Sequence, residues 1–333
     1  MYIDEADIKT RKDRVGRYFK GYLSGFVFCE LSENYMKKVG IFDIMKGVPV
    51  PLGKDDVEKF LEAGVPALQL AWNIAWVIGA DPHFKYIHSY VGLLSRLFKS
   101  DTASILTKVG KDAADGGDVF KACIFFRAAL SVAPAYLDGM YGYAMMCRAV
   151  YLGSDDEEHI GRFKAEAMDF FELTAETHPK FADAHYYLGF AYLNMGLVLK
   201  AKLAWEDFLT LAKDSKDCEE IRGRLSQIEA PAEIEQGCNM ALAGRYEQGL
   251  SVLSPFVETG YKTWWPLSYY IGLCQARLGM AEKAEASFKN VLAMNASHIE
   301  SMEELADIYK VHGDLANEEK YRKKIEIIKN ELT

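Results

Sequence analysis

Leu188-Gly189-Phe190-Ala191-Tyr192, followed at set intervals by Gly196, Ala201 and Trp205, is one copy of a pattern that recurs about every 34 residues over the last two-thirds of the chain. A fixed period of that length marks stacked helical hairpins. Each unit is too small to bury its own apolar face, so neighbours stack into a continuous core and present extended surfaces rather than catalytic pockets.

The other copies align on the same landmarks. Residues 103–136 carry Gly110, Ala113, Gly117, Ala122, Phe126, Ala129 and Pro134, and 182–215 add Phe208 to the opening set. Residues 265–298 carry Ile271, Gly272, Gly279, Ala284, Phe288 and Val291, while 230–263 carry Gly237, Gly244, Tyr246, Gly249, Leu253 and Phe256. The last copy, 299–332, keeps Leu305, Ala306, Tyr309 and Gly313 and then turns polar. Residues 137–181 fit through Ala144, Ala167, Phe171 and Pro179 if roughly 11 extra residues separate the two helices.

Each landmark has a physical reason. Gly110, Gly189, Gly237, Gly272 and Ala144 are small where the two helices of a hairpin approach closely. Gly117, Gly196, Gly244, Gly279 and Gly313 stand where the first helix stops, a position that favours a left-handed backbone. Phe126, Phe171, Trp205 and Phe288 are large where the second helix packs on the next unit, and Pro134 and Pro179 fall just past a helix end. The array resembles the tetratricopeptide repeat family over about 103–332. That resemblance implies an all-α fold, an α-α superhelix of about six hairpins (103–136, 137–181, 182–215, 230–263, 265–298 and 299–332).

Composition agrees. Helix formers dominate, prolines number 9, and alternating β-branched runs are almost absent. A net charge of −9 argues against non-specific binding to nucleic acid or anionic lipid. The six cysteines, at 29, 123, 147, 218, 238 and 274, include no CxxC pair and read as small buried thiols in a reducing compartment. Residues 8–31 faintly imitate a secretion signal, but Lys20, Ser24 and Glu30 interrupt the apolar run and no small-x-small site follows. No run is long and apolar enough to span a membrane, so the cytoplasm is the expected location.

Residues 1–100 form a helical amino-terminal region without clean landmarks. Helices are expected at 5–36, 55–63, 66–79 and 83–99, with Gly47–Gly53 extended because each proline pushes its predecessor from the helical region. A degenerate repeat is suggested over 55–98, with Gly92 at the close-packing position, and the aromatic residues of this region should pack on the first full repeat. Two irregularities interrupt the array. Ser154-x-x-Glu157 reads as a capping box that lengthens both helices of its hairpin, and Asp214–Ile228 reads as an added helix ending before Pro231. The last helix, with Glu318/Arg322 and Glu319/Lys323 at i,i+4 spacing, is a solvated cap.

The chain carries no phosphate loop, nucleophile elbow, HExxH or calcium loop, so neither an enzyme nor a cofactor is expected. His178, Asp183 and His185 lack the i,i+4 spacing of helical metal ligands and read as packing residues. In the family this chain resembles, the first helix of each hairpin lines the concave face. Carried onto this sequence, that face holds Ser104, Thr107, Lys111 and Ala114, then Asp138, Tyr141, Met145 and Arg148. It continues with Asp183, Tyr186, Phe190, Leu193 and the adjacent Asn194, then Pro266, Tyr269, Leu273, Ala276 and the adjacent Arg277. Aromatic and aliphatic residues occupy the middle, with Lys111, Arg148 and Arg277 as the charged anchors, which departs from the Lys/Asn/Arg clamp of relatives that grip a terminal carboxylate.

The expected function is a protein-interaction module, an adaptor or scaffold holding a partner protein or peptide segment in a Tyr-rich groove. The alternatives are a dedicated chaperone for a secreted or membrane-bound client, and an enzyme or regulatory function in residues 1–100. No nucleic acid and no membrane insertion are expected, and an unpaired apolar edge of the array would support a homodimer. The bland counter-reading of the groove is that the chain's own helices cover it.

Overall fold

The computed structural model describes residues 13–58, 66–213 and 216–331. Its front end departs most from expectation. Instead of one helix over 5–36, the described part of that span gives a short helix α1 (Gly16–Lys20), a 3-10 turn (Gly21–Gly25), strand β1 (Phe26–Cys29) and helix α2 (Glu33–Lys38); residues 5–12 lie outside the described residues. A short α3 (Phe42–Met45) leads to strand β2 (Val50–Gly53), antiparallel to β1 with Phe28 opposite Pro51. The Phe26-Val27-Phe28-Cys29 run has the aromatic and β-branched character of a strand once a partner exists. The proline-rich segment supplies that partner, already extended. Helices α4 (Ala67–Ala80) and α5 (Ile87–Phe98) hold the ribbon. Asn73 Nδ2 donates to the Pro51 carbonyl at 3.0 Å and the Tyr90 hydroxyl to that of Pro49 at 2.7 Å. Lys54–Asp56 is a 3-10 turn, and most of the helix expected over 55–63 lies outside the described residues. The helices expected over 66–79 and 83–99 are α4 and, beginning later, α5.

The chain divides into two compact units, residues 1–192 with 207–212 and residues 193–206 with 213–333. In the first, the front end is followed by two helical hairpins, α6 (Thr102–Asp115) with α7 (Val119–Val132) and α8 (Leu137–Leu152) with α9 (Glu157–Thr177). Helix α7 packs against both α4 and α8. Ile74, Ile78, Tyr90 and Leu94 share one buried cluster with Leu106, Phe125 and Ala128, and Trp72 and Trp76 set their rings edge-on to Phe125 at 6.2 and 5.9 Å. The aromatic front end thus packs on the first full hairpin, as its composition requires.

Helices α10 (Ala182–Asn194) and α11 (Val198–Leu211) each contribute residues to both units. The second unit continues with α12 (Lys216–Leu242) and α13 (Tyr246–Leu253), α14 (Trp265–Arg277) and α15 (Ala281–Met294), and α16 (Ile299–His312) and α17 (Leu315–Glu331). Within it α13 packs on α14, and α15 on α16.

The hairpins turn and pack at the positions that the repeating landmarks mark out. All five glycines assigned to the turn between helices have positive φ: Gly117 82°, Gly196 74°, Gly244 76°, Gly279 75° and Gly313 76°. The packing landmark Phe126 shows why the register repeats. A Cβ at Gly110 of its own hairpin would lie 3.2 Å from the ring, and one at Gly142 of the next would lie 2.5 Å from it. Phe126 fills the space that two absent side chains leave. Phe171, Trp205 and Phe288 are buried as well, and a Cβ at Gly272 would lie 2.9 Å from the Phe288 ring.

Two local readings are corrected. The segment after residue 215 does not end before Pro231: α12 runs through the proline as one 27-residue helix, so the added helix and the first helix of the next hairpin are continuous. Proline costs a helix one hydrogen bond and a ring clash, and burial of Cys218, Ile221 and Ile228 before it, and of Ala232, Ile234 and Cys238 after it, offsets that cost. At the start of α9 the cap is Asp156, whose Oδ1 accepts from the His159 amide at 2.7 Å, rather than Ser154. Ser154 Oγ braces the turn by accepting from the Asp156 amide at 3.3 Å and contacting His159 Nδ1 at 3.0 Å. The expected lengthening holds, with α8 and α9 spanning 16 and 21 residues against 14 each for α6 and α7.

Candidate functional site

In the first unit the first-helix residues form an aromatic cluster. Tyr141 of α8 meets Phe181 edge-on at 4.9 Å, and Phe171 and Tyr187 at 6.4 and 6.2 Å. Tyr186 of α10 stands against Phe190 at 5.0 Å and Phe208 at 5.2 Å. Tyr141, Met145, Arg148, Tyr186 and Phe190 are all half-buried, so each packs one side and leaves another to solvent. Burial, together with Tyr187 and Asp183, raises the Tyr141 hydroxyl above the usual tyrosine range, and it stays a neutral hydrogen-bonding group.

The sequence reading missed the residue that connects the cluster. Tyr187 stacks on Phe171 at 5.6 Å and 13°, touches Tyr141 and Tyr186, and lies under the Arg148 guanidinium at 5.3 Å. Arg148 is thus held over an aromatic face, a cation–π arrangement rather than a free anchor. The repeat positions skip Tyr187 because it is one residue, about 100°, further round the helix than Tyr186; its signal was the Tyr-Tyr pair itself.

The other charged anchors are also engaged. Lys111 Nζ lies 2.7 Å from Asp138 Oδ2, joining α6 to α8. Arg277 reaches the two carboxylate oxygens of Glu304 at 2.8 and 2.6 Å, joining α14 to α16, and this bidentate bond holds its guanidinium above its ordinary value. Of the remaining first-helix residues, Thr107 is buried and bonded to the Ser104 carbonyl, while Asp183 and Asn194 are exposed and Leu193 is half-buried. In the second unit Tyr269 and Leu273 are half-buried, and Tyr269 packs on His298 at 4.9 Å and Phe288 at 6.0 Å.

The histidines read as packing residues make hydrogen bonds. His178 Nε2 is 2.8 Å from the Ala135 carbonyl and His185 Nε2 is 3.3 Å from that of Pro179. Among the described residues no group of three His, Cys, Asp or Glu is placed to hold a metal ion. All six cysteines are free thiols, five of them buried. No described helix is long and apolar enough to cross a membrane.

A second constellation joins Arg127 of α7, Tyr143 of α8 and Glu166 of α9 to Asp13. Arg127 is 5 % exposed; it donates to the Gly79 carbonyl at 2.7 Å, to the Tyr143 hydroxyl at 2.9 Å and to both Asp13 oxygens at 3.1 and 2.6 Å. Tyr143 in turn donates to Glu166 Oε1 at 3.1 Å. Burial opposes the Arg127 charge, but Tyr143 and Asp13 outweigh it and hold the guanidinium above its ordinary value. Burial likewise works against the Asp13 carboxylate, and the bonds from Arg127 bring it below its usual range. Glu166 is 4 % exposed, and burial, with Asp13 and Asp169 adding repulsion against the pull of Arg127, pushes its carboxyl up to about 7. Its signal in the sequence was Arg127 itself, a lone charge inside the apolar run Ala122–Leu130.

No family model matches the chain, and no curated protein matches it. Solved helical-repeat structures are similar to it. The P58(IPK) TPR domain is 16% identical over 78% of this chain and 68% of that one, with a TM-score of 0.38. YrrB, described as a TPR protein with an unusual peptide-binding site, is 16% identical over 61% and 91%, at a TM-score of 0.32. TTC0263, a thermophilic TPR protein from Thermus thermophilus, is 14% identical over 72% and 98%, at a TM-score of 0.32.

Proposed function

We propose that the chain is a protein-interaction module, an adaptor or scaffold that holds a segment of a partner protein on its first-helix face. The observation that carries this reading is the half-buried aromatic set Tyr141, Tyr186, Tyr187 and Phe190, with Met145 beside it. Rings packed on one side and open on the other offer large contact area at little entropic cost, because their neighbours already fix their rotamers. The engaged charges narrow the partner. Lys111 is paired with Asp138, and Arg148 is held over Tyr187, so the contact should be apolar and aromatic rather than a grip on a terminal carboxylate. Tyr269 and Leu273 would form a corresponding patch on the second unit.

Native-lysate capture on the full chain, followed by mass spectrometry, identifies the partner, and Tyr186→Ala with Phe190→Ala tests the face. The double variant should lose the captured partner while the remaining helical signal and melting cooperativity persist. Retained capture with lost stability would assign these rings to packing alone. Several components of one complex on the wild-type chain fit a scaffold, whereas one stoichiometric client would favour a dedicated chaperone.

A further inference from the structure

The buried Arg127–Tyr143–Glu166 constellation is the floor of a cavity of about 570 Å³ in the first unit, a size that suits a small organic ligand. Its walls are apolar: Phe84 from the turn before α5, Leu130 from α7 and Phe170 from α9. Its mouth is basic. His83, Lys85 and His88 line it and are exposed; Lys85 Nζ lies over the Tyr86 ring at 4.8 Å, and none of the three forms an ion pair with a described residue. The contrast with the first-helix face is direct, since there Lys111 and Arg277 are satisfied by carboxylates within the fold.

The floor adds directional chemistry. Glu166 lines the cavity; its Oε1 accepts from Tyr143, and its Oε2 accepts no hydrogen bond from a described residue. Arg127, by contrast, is committed to Asp13, Tyr143 and the Gly79 carbonyl. The cavity therefore offers one ammonium and two imidazoles at its entrance, aromatic and aliphatic walls, and a carboxyl acceptor at its base.

We propose that this cavity binds a small amphipathic organic monoanion, a carboxylate on an aromatic or aliphatic body whose far end carries a hydroxyl or amide N–H. The carboxylate sits at the basic mouth by Lys85, the body fills the space against Phe84, Leu130 and Phe170, and the donor reaches Glu166. A monoanion fits better than a phosphate dianion. Lys85 supplies a single ammonium, and the guanidinium that would match a phosphate is neutralised by Asp13. A ligand amine is disfavoured at the mouth by Lys85. The cavity residues share no member with the partner-binding face, so this site stands or falls independently of that reading.

The test uses the full chain at pH 7 and calorimetry with four probes: 4-hydroxyphenylacetate, phenylacetate, 4-methylphenol and tyramine. 4-Hydroxyphenylacetate should bind most tightly, with phenylacetate weaker for want of the donor and 4-methylphenol weaker for want of the anion. Tyramine, which replaces the carboxylate by an ammonium, should bind at least about tenfold more weakly. Lys85→Ala with His88→Ala should weaken 4-hydroxyphenylacetate by about tenfold while leaving the melting temperature unchanged, because both side chains are exposed. Tyramine binding as tightly as the acid, an affinity untouched by the rim variant, or no probe binding at millimolar concentration would each overturn the proposal.

Discussion

The front end and the hairpins that follow it are held by different kinds of contact, although both belong to the first unit. In the hairpins, the decisive neighbours recur at set distances along the chain: Gly110, Phe126 and Gly142 are one turn of the same device. In the front end they are distant and unrepeated. Asp13 pairs with Arg127 across 114 positions, Tyr90 caps Pro49 across 41, and Asn73 caps Pro51 across 22. A repeat spreads its stability over equivalent contacts, so losing one should be local. The front end concentrates its attachment on a few polar links, so losing one should be felt throughout.

The most severe test of that contrast is Arg127→Met. It removes the hub that joins Asp13, the end of α4 and Tyr143, and leaves Asp13 without its partner. Breaking a buried pair by deleting one member costs about 3–5 kcal/mol. Urea denaturation should show that loss, and limited proteolysis should show new cleavage before residue 80 while α12–α17 stay protected. Protection spread evenly along the chain would mean that the front end is not hung on Arg127.

Next in size is Glu166→Gln. A carboxyl held near 7 in the folded chain, above its ordinary 4.5, contributes stability that is fully present below about pH 4.5 and lost as pH rises through 7. Gln keeps the neutral form throughout and can still accept from Tyr143. The variant should match the wild type near pH 4, gain on it between about pH 4.5 and 7, and level off above. The plateau should be on the order of 3 kcal/mol. A difference that does not vary with pH would show that folding leaves the Glu166 carboxyl at its ordinary value.

The same contrast decides what the sequence could convey. Gly117, Gly196, Gly244, Gly279 and Gly313 announced their left-handed turns because the requirement is local to one residue and repeats with the array. Helical position singled out Tyr186 and Phe190, and the structure sets both half-buried. The β1–β2 ribbon did not, because Phe26–Cys29 becomes a strand only beside Val50–Gly53, and no local signal names a partner that far away. Tyr187 was passed over because it stands one residue, about 100°, round the helix from the repeat position of Tyr186. The cavity was least visible of all, since its floor draws Asp13, Arg127, Tyr143 and Glu166 from four separate segments.

Within the hairpins, two glycine-to-alanine changes in adjacent helices should have opposite signs. At Gly142 in α8 the new methyl would lie 2.5 Å from the Phe126 ring, which is itself buried and pressed by Gly110 from the other side, so the ring has nowhere to go. Overpacking of this kind costs about 1–3 kcal/mol. At Gly161 in α9 the methyl would meet nothing within 4 Å, and the site is exposed, so the change should stabilise by about 0.5–1 kcal/mol through helix propensity alone. Chemical denaturation of the two variants reads both signs. If Gly161→Ala destabilised as much as Gly142→Ala, glycine at Gly142 would be serving backbone conformation and not space for Phe126, and the register argument for the whole array would lose its physical basis.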